Sequence, residues 1–375
     1  MRDKLKIILV AGARPNFMKI APLIRAIRNY NKQRKKNPLI EAVLVHTGQH
    51  YDNNMSDIFF KELGIPEPDI NLGVGSGSHA EQTARIIMAF EPVCIKEKPD
   101  WVVVVGDVNS TLACSLVAAK LGTKVAHVEA GLRSYDRSMP EEINRLVTDS
   151  LSDLLFTPSV DANQNLKREG INVKKIKLVG NIMIDTLISQ LRKAERSRLP
   201  EELKLKPEKF IYVTLHRPSN VDEPEVLSSI MRKLVKLSKM LPVVFPVHPR
   251  TRKMLQQIYF SFEADRQLML IEPIGYIDSL WLAKNAKLVL TDSGGLQEET
   301  TFFKTPCLTL RPNTERPITI KIGTNKLTSL KTLETDATRI LKGAQQRGRI
   351  PKYWDGHAAE RIVKCLVENS APDSS

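Results

Sequence analysis

Three acidic side chains stand where acid/base chemistry could be done. Asp107 follows the apolar run Val102 to Val105 through a glycine, Glu129 closes the run Val125 to Val128, and Glu141 lies in Pro140-Glu141-Glu142-Ile143-Asn144-Arg145. The proline is well placed to open a helix, which puts Glu141 and Arg145 on one face of it. Singly, each acid has an ordinary explanation: a helix cap for Asp107, a turn residue for Glu129, a first-turn acid that favours the helix dipole for Glu141. Convergence would do more. Like charges crowded in a cleft raise one another's pKa and leave carboxyls able to hold or release protons near neutrality.

A second set of residues suits an anion. Thr291-Asp292-Ser293-Gly294-Gly295-Leu296-Gln297-Glu298-Glu299 has the form strand, small-residue turn, helix. Glycines let backbone approach a phosphate, and the N–H groups at a helix start hold its charge. A tight turn with Asp292 or Ser293 as helix cap explains those two residues equally well; the two glycines and the glutamate a turn later favour a nucleotide. Ala11 to Lys19 offers a strand end, Arg14, a proline that opens a helix, and Lys19 about one turn in, so Arg14 is a candidate diphosphate clamp. His216, followed by Arg217, closes the run Phe210 to Leu215, a position that favours a functional role over a structural one. His248, after Val243 to Val247, is a candidate support residue. Gly12-Ala13-Arg14-Pro15 lacks the spacing of a dinucleotide fingerprint, and Gly73-Val74-Gly75-Ser76-Gly77 follows a proline-rich stretch and not a strand, so NAD is not expected. Cys94, Cys114, Cys307 and Cys365 lie far apart with no CxxC pair, which suggests neither a disulfide framework nor a zinc site.

The elements that must position these residues read as repeating βα units. Short Val/Ile/Leu-rich runs, each followed by polar residues and a helix-like stretch, are the pattern of buried parallel strands with crossover helices. Strands are expected near 7–11, 42–47, 101–105, 124–128, 154–157 and 176–179, then near 210–215, 243–247, 268–271, 288–291 and 307–310. In such sheets ligands bind at the carboxyl ends of strands, where the polar residues above fall. The charged, proline-flanked stretch from Arg192 to Pro200 suits a hinge, giving two α/β domains: 1–180, onto which a last helix in 358–375 could pack back, and 181–357. A chain of 375 residues is also too long for one ordinary core.

Composition narrows the class. The chain is 42% hydrophobic and 26% charged, as in a globular protein, and no run approaches the length of a membrane span. No signal peptide is read, so a cytoplasmic location is expected. The formal net charge of +14 invites a nucleic-acid reading, but the basic runs at 32–36 and 174–177 carry no interleaved aromatics or binding signature. A basic field also attracts phosphorylated small molecules, so these runs read as solvated surface.

Taken together, these segments resemble the non-hydrolysing UDP-N-acetylglucosamine 2-epimerases nearly end to end. The carriers are Gly12-Ala13-Arg14-Pro15 with Lys19, Gly106-Asp107, His127-Val128-Glu129-Ala130-Gly131-Leu132-Arg133, Pro140 to Arg145, Leu215-His216-Arg217, Thr291 to Glu299 and Thr314-Glu315-Arg316-Pro317. The resemblance implies two Rossmann-like domains in the GT-B arrangement with the active site in the interdomain cleft, and usually a homodimer. It implies Asp107, Glu129 and Glu141 as the acid/base group, Arg145 as its partner and His216 near the diphosphate. Arg14, Lys19, Ser293, Gly294, Gly295 and Arg316 then contact substrate or phosphate, and Glu299 accepts from the ribose hydroxyls. The implied reaction converts UDP-N-acetylglucosamine to UDP-N-acetylmannosamine through elimination and re-addition of UDP, in support of surface polysaccharide synthesis. Alternatives are a 2-epimerase of a UDP-diacetamido uronic acid, a hydrolysing relative and, from another class, a GT-B glycosyltransferase. Two departures stand out. Pro218-Ser219-Asn220 follows His216-Arg217 where the family usually has a glutamate at the position of Ser219, and the run after Gln49-His50 reads Tyr51-Asp52-Asn53-Asn54-Met55 where many bacterial members bind an activating UDP-sugar.

Overall fold

The computed structural model describes residues 4–34, 39–49, 64–258, 267–344 and 348–370. The chain divides into two units, Met1–Thr186 with Lys352–Ser375, and Leu187–Pro351.

The first unit holds a parallel sheet of seven strands in the order β3-β2-β1-β4-β5-β6-β7. These are β1 Lys4–Ala11, β2 Leu39–His46, β3 Ile70–Asn71, β4 Trp101–Val105, β5 Lys124–Val128, β6 Leu154–Thr157 and β7 Ile176–Leu178. All five residues of β4 are buried, because helices cover both faces of a parallel sheet and leave no side for polar residues. Val102 and Val104 pack with Ile86 and Phe90 of the helix His79–Glu97 and with Ala113 and Val117 of the helix Asn109–Lys120.

The second unit holds six parallel strands in the order β10-β9-β8-β11-β12-β13. They are β8 Ile211–Thr214, β9 Val243–Pro246, β10 Leu268–Ile271, β11 Leu288–Thr291, β12 Cys307–Leu310 and β13 Asn325–Thr328. In both sheets the strand order reverses once, between β1 and β4 and between β8 and β11. Crevices form outside the carboxyl ends of strands at such reversals. There the first unit places Gly12 and Gly106-Asp107, and the second places His216 and Asp292-Ser293.

The end of the chain returns to the first unit. Its helix Ala358–Glu368 packs on the helix Arg14–Gln33, and Asp185 accepts hydrogen bonds from the N–H groups of Ala358 and Ala359 at 3.2 and 2.8 Å. Trp354 Nε1 donates to the Pro158 carbonyl at 2.9 Å. Gly180 allows this return: it has φ +94°, and a Cβ there would stand 1.9 Å from the Tyr353 carbonyl oxygen.

Two strands escape the sequence pattern. β13, Asn-Lys-Leu-Thr, has no apolar run and is ordered by pairing with β12. β3 pairs through two residues with β2, so the glycine-rich stretch from Gly73 does follow a strand, contrary to the expectation above.

Candidate active site

The turn after β1 is locked by a residue the sequence reading passed over. Asn16 Oδ1 accepts from the N–H groups of Gly12 and Ala13 at 3.1 and 2.9 Å, and its Nδ2 donates to the Val105 carbonyl at 2.9 Å. One amide thus fixes the ends of β1 and β4 against each other. Gly106 follows with φ +69°, and a Cβ on it would meet Lys19 Nζ at 2.7 Å and Glu129 Oε2 at 3.6 Å. The glycine makes room for that pair: Lys19 and Glu129, both buried, form an ion pair. Glu129 itself holds φ +77°, a conformation that costs a non-glycine residue energy and tends to persist where function demands it.

Asp107 and Glu141 line one cavity of about 260 Å³, together with Gln49, Asn109, Asn144 and neighbours from the same unit. Arg145, 2% exposed, lies between two carboxylates: Nη1 donates to Asp107 and Nη2 to Glu142 Oε2 at 2.6 Å. Glu142 is the buried anchor. It also accepts from Ser134 N and Oγ at 2.9 Å each and from Tyr135 N at 3.0 Å. Burial pushes its carboxyl up, but the Ser134 N–H and the Arg145 guanidinium outweigh burial and hold it below the usual range. The Glu142/Arg145 spacing on a helix, i to i+3, was the legible signal for this pair.

The expected crowding of three acids is therefore modified. Two of them share the cavity, whereas Glu129 sits against Gly106 with Lys19. Counter-ions replace like-charge crowding for Glu129 and Asp107, and the Glu141 side chain makes no hydrogen bond or ion pair with a described residue.

In the second unit Asp292, fully buried, caps no helix. Its carboxylate binds the turn after β8 instead, accepting from His216 N at 3.1 Å, Arg217 N at 2.9 Å and Asn220 Nδ2 at 3.0 Å. Its Oδ1 also accepts from His216 Nδ1, at 2.9 Å. Burial raises the Asp292 pKa, yet the His216 and Asn220 side chains hold it low. The imidazole, 58% exposed, is oriented this way with Nε2 left for a ligand. Ser219 is exposed and Asn220 is the residue of that turn that points inward, donating also to the Leu310 carbonyl at 3.2 Å.

The helix Gly294–Phe303 begins at Ser293 with no side-chain cap, so its first N–H groups keep their capacity for an anion. A Cβ on Gly294 would stand 2.6 Å from Arg316 Nη1, whereas one on Gly295 would meet only Ser293 Oγ, at 4.0 Å. Arg316 is shared between two buried carboxylates: Nε lies 2.9 Å from Glu298 Oε1, and Nη1 pairs with Glu315. Glu299 is buried beside them, and burial pushes its carboxyl up to about 8; the Tyr276 hydroxyl pulls it down and the charge of Glu298 adds to the rise. His248 is a helix cap, its Nδ1 accepting from Arg250 N at 3.3 Å. Arg14 opens the helix Arg14–Gln33, but its side chain, like residues 50–55, lies outside the described residues. No group of His, Cys, Asp and Glu among the described residues could hold a metal ion.

The family model for UDP-N-acetylglucosamine 2-epimerase matches residues 32–367. A UDP-N-acetylglucosamine 2-epimerase of Methanocaldococcus jannaschii is 43% identical over 371 residues, covering 97% of this chain and 99% of its own. A UDP-2,3-diacetamido-2,3-dideoxy-D-glucuronate 2-epimerase of Pseudomonas aeruginosa is 42% identical, covering 97% and 100%. The crystal structure of the Methanocaldococcus jannaschii enzyme in complex with UDP-GlcNAc and UDP superposes with a TM-score of 0.84 at 43% identity, covering 97% and 99%.

Proposed function

The chain belongs to the UDP-N-acetylglucosamine 2-epimerase family, and on that footing we propose that it interconverts UDP-N-acetylglucosamine and UDP-N-acetylmannosamine by eliminating UDP and adding it back. The observation that carries the reading is the placement of Asp107 and Glu141 on one cavity, with Arg145 paired to Asp107.

Inversion at carbon 2 is difficult because its proton is not acidic. Elimination solves this. The anomeric C–O bond breaks as a base takes the proton, leaving a glycal and UDP, and re-addition delivers a proton to the other face. That sequence needs an acid and a base on opposite faces and stabilisation of the leaving diphosphate. Asp107, Glu129 and Glu141 are assigned the proton transfers, with Arg145 and Lys19 as counter-ions of the first two. His216 held by Asp292, the Ser293-Gly294-Gly295 helix start, Arg14 and Arg316 are assigned the diphosphate, and Glu299 the ribose hydroxyls. On this reading residues 1–180 with the final helix carry the proton chemistry and Arg14, and residues 181–357 carry the other nucleotide contacts. Electrons are exchanged with no second reactant, so no redox cofactor is assigned.

The diacetamido uronate is the second reading, since a relative of nearly equal identity is named for it. A uronate brings one more carboxylate and calls for a cation to receive it.

Incubation with UDP-N-acetylglucosamine in deuterium oxide, followed by proton NMR, is the test. Deuterium at carbon 2 of both recovered UDP-sugars is the expected result. Free sugar with UDP would establish hydrolysis, a requirement for an acceptor would establish a glycosyltransferase, and exchange confined to the uronate would establish the second reading. We also read the protein as a cytoplasmic homodimer that serves surface polysaccharide synthesis. The family supports that reading, as do two exposed apolar side chains on the helix His79–Glu97, Met88 and Ile95; no described helix is long and apolar enough to cross a membrane. The positive net charge is assigned to attraction of the anionic substrate, with no role in nucleic-acid binding.

A further inference from the structure

The three acids sit on separate segments: the turn after β4, the turn after β5 and the helix Pro140–Leu151. Something must hold these segments in register to a fraction of an ångström, since proton transfer is sensitive to small misplacement. A buried pair at their common centre touches all three. His127, on β5 and with no exposed surface, has Nε2 2.8 Å from the carbonyl oxygen of Gly106, the residue before Asp107. Its Nδ1 lies 2.6 Å from Asp149 Oδ1. The ring is thus held at both ends, between the Gly106 carbonyl and the Asp149 carboxylate. Asp149 belongs to the helix that carries Glu141, and its other oxygen accepts from the N–H of Gly131 at 3.0 Å, two residues after Glu129. Arg133 closes the arrangement, with Nη2 2.7 Å from the same Asp149 oxygen.

We propose that His127 and Asp149 are positioning residues for the epimerisation: the pair sets the peptide that aims Asp107, the turn that carries Glu129 and the helix that carries Glu141. Neither touches substrate. The pair acts through the Gly106 carbonyl and the Gly131 amide, and it rests on the epimerase reading above.

A buried network of this kind could serve folding alone, so the test separates rate from stability. His127→Gln keeps one donor for the Gly106 carbonyl and cannot bridge both partners. It is expected to lower kcat by about tenfold or more while KM for UDP-N-acetylglucosamine stays within about threefold, with the dichroism spectrum unchanged. Where that variant does not fold, Asp149→Asn replaces it: it keeps an acceptor for Gly131 and loses the charge that faces His127, and the same split is expected. A lower melting temperature with kcat intact, or a loss confined to KM, overturns the proposal. The wild-type protein run in parallel distinguishes the two readings: failure of wild type on UDP-N-acetylglucosamine overturns the assigned reaction, whereas an active wild type with an equally fast variant overturns the positioning role alone.

Discussion

Glu299 holds its proton at neutral pH because it is buried against Glu298, and its carboxyl is pushed up to about 8. An unfolded glutamate titrates near the ordinary value of 4.5. Between these two values the folded chain binds the proton and the unfolded chain has released it, so stability falls as pH rises through that window and the loss is complete above it. Glu299→Gln removes the ionisable group while keeping its shape. The variant should melt with the wild type at pH 4 and several degrees above it at pH 8.5, a difference on the order of a few kcal/mol. Melting curves that run parallel across this range would show that the carboxyl titrates as it does in water. The same substitution should weaken UDP binding above about pH 8, where the ionised carboxyl can accept from both ribose hydroxyls and an amide oxygen offers one acceptor in its place.

Asp185 is the hold on the last helix. Burial raises its carboxyl to about 6, against the pull of the Ala359 and Ala358 N–H groups it accepts from. Asp185→Ala leaves the first N–H groups of Ala358–Glu368 without that partner, a loss of about 1 kcal/mol for an N-terminal cap. Amide exchange over Ala358–Glu368 should then run about fivefold faster, with the strands of the first sheet unaffected; unchanged exchange would mean that packing on Arg14–Gln33 alone secures the helix. The sequence could not show this contact, because Asp185 and Ala358 are 173 residues apart and nothing in either neighbourhood names the other. Strands β4, β5, β6, β10, β11 and β12 were legible to the residue, since short, mainly apolar runs that alternate with helix-like stretches are the mark of a parallel sheet. β13 was not, since its order comes from a neighbour and not from its own side chains. The site divides in the same way. Positions after strands mark Asp107, Glu129, His216 and Asp292 in the sequence, whereas Lys19 against Glu129 or Asp292 against His216 depends on strands that meet only in the sheet.

The helix His79–Glu97 carries information about assembly that the rest of the fold does not use. Gln82, Ile86, Phe90 and Cys94, spaced by four, are its buried face. Met88 and Ile95, seven residues apart and hence on one common face, are 74% and 57% exposed. Two large apolar side chains aligned on one exposed stripe are costly in water unless something covers them. A second copy of the chain is the cover proposed here, because a two-fold axis brings the same stripe of each protomer together and doubles the apolar area buried for each residue spent. Replacing both with glutamate places four like charges at that contact in the dimer and none against the core. Sedimentation velocity at micromolar concentration should find the wild type as a dimer and Met88→Glu/Ile95→Glu as a monomer with the wild-type dichroism spectrum. A double variant that still sediments as a dimer would move the interface elsewhere on the molecule. A wild type that sediments as a monomer would leave the stripe to a different partner.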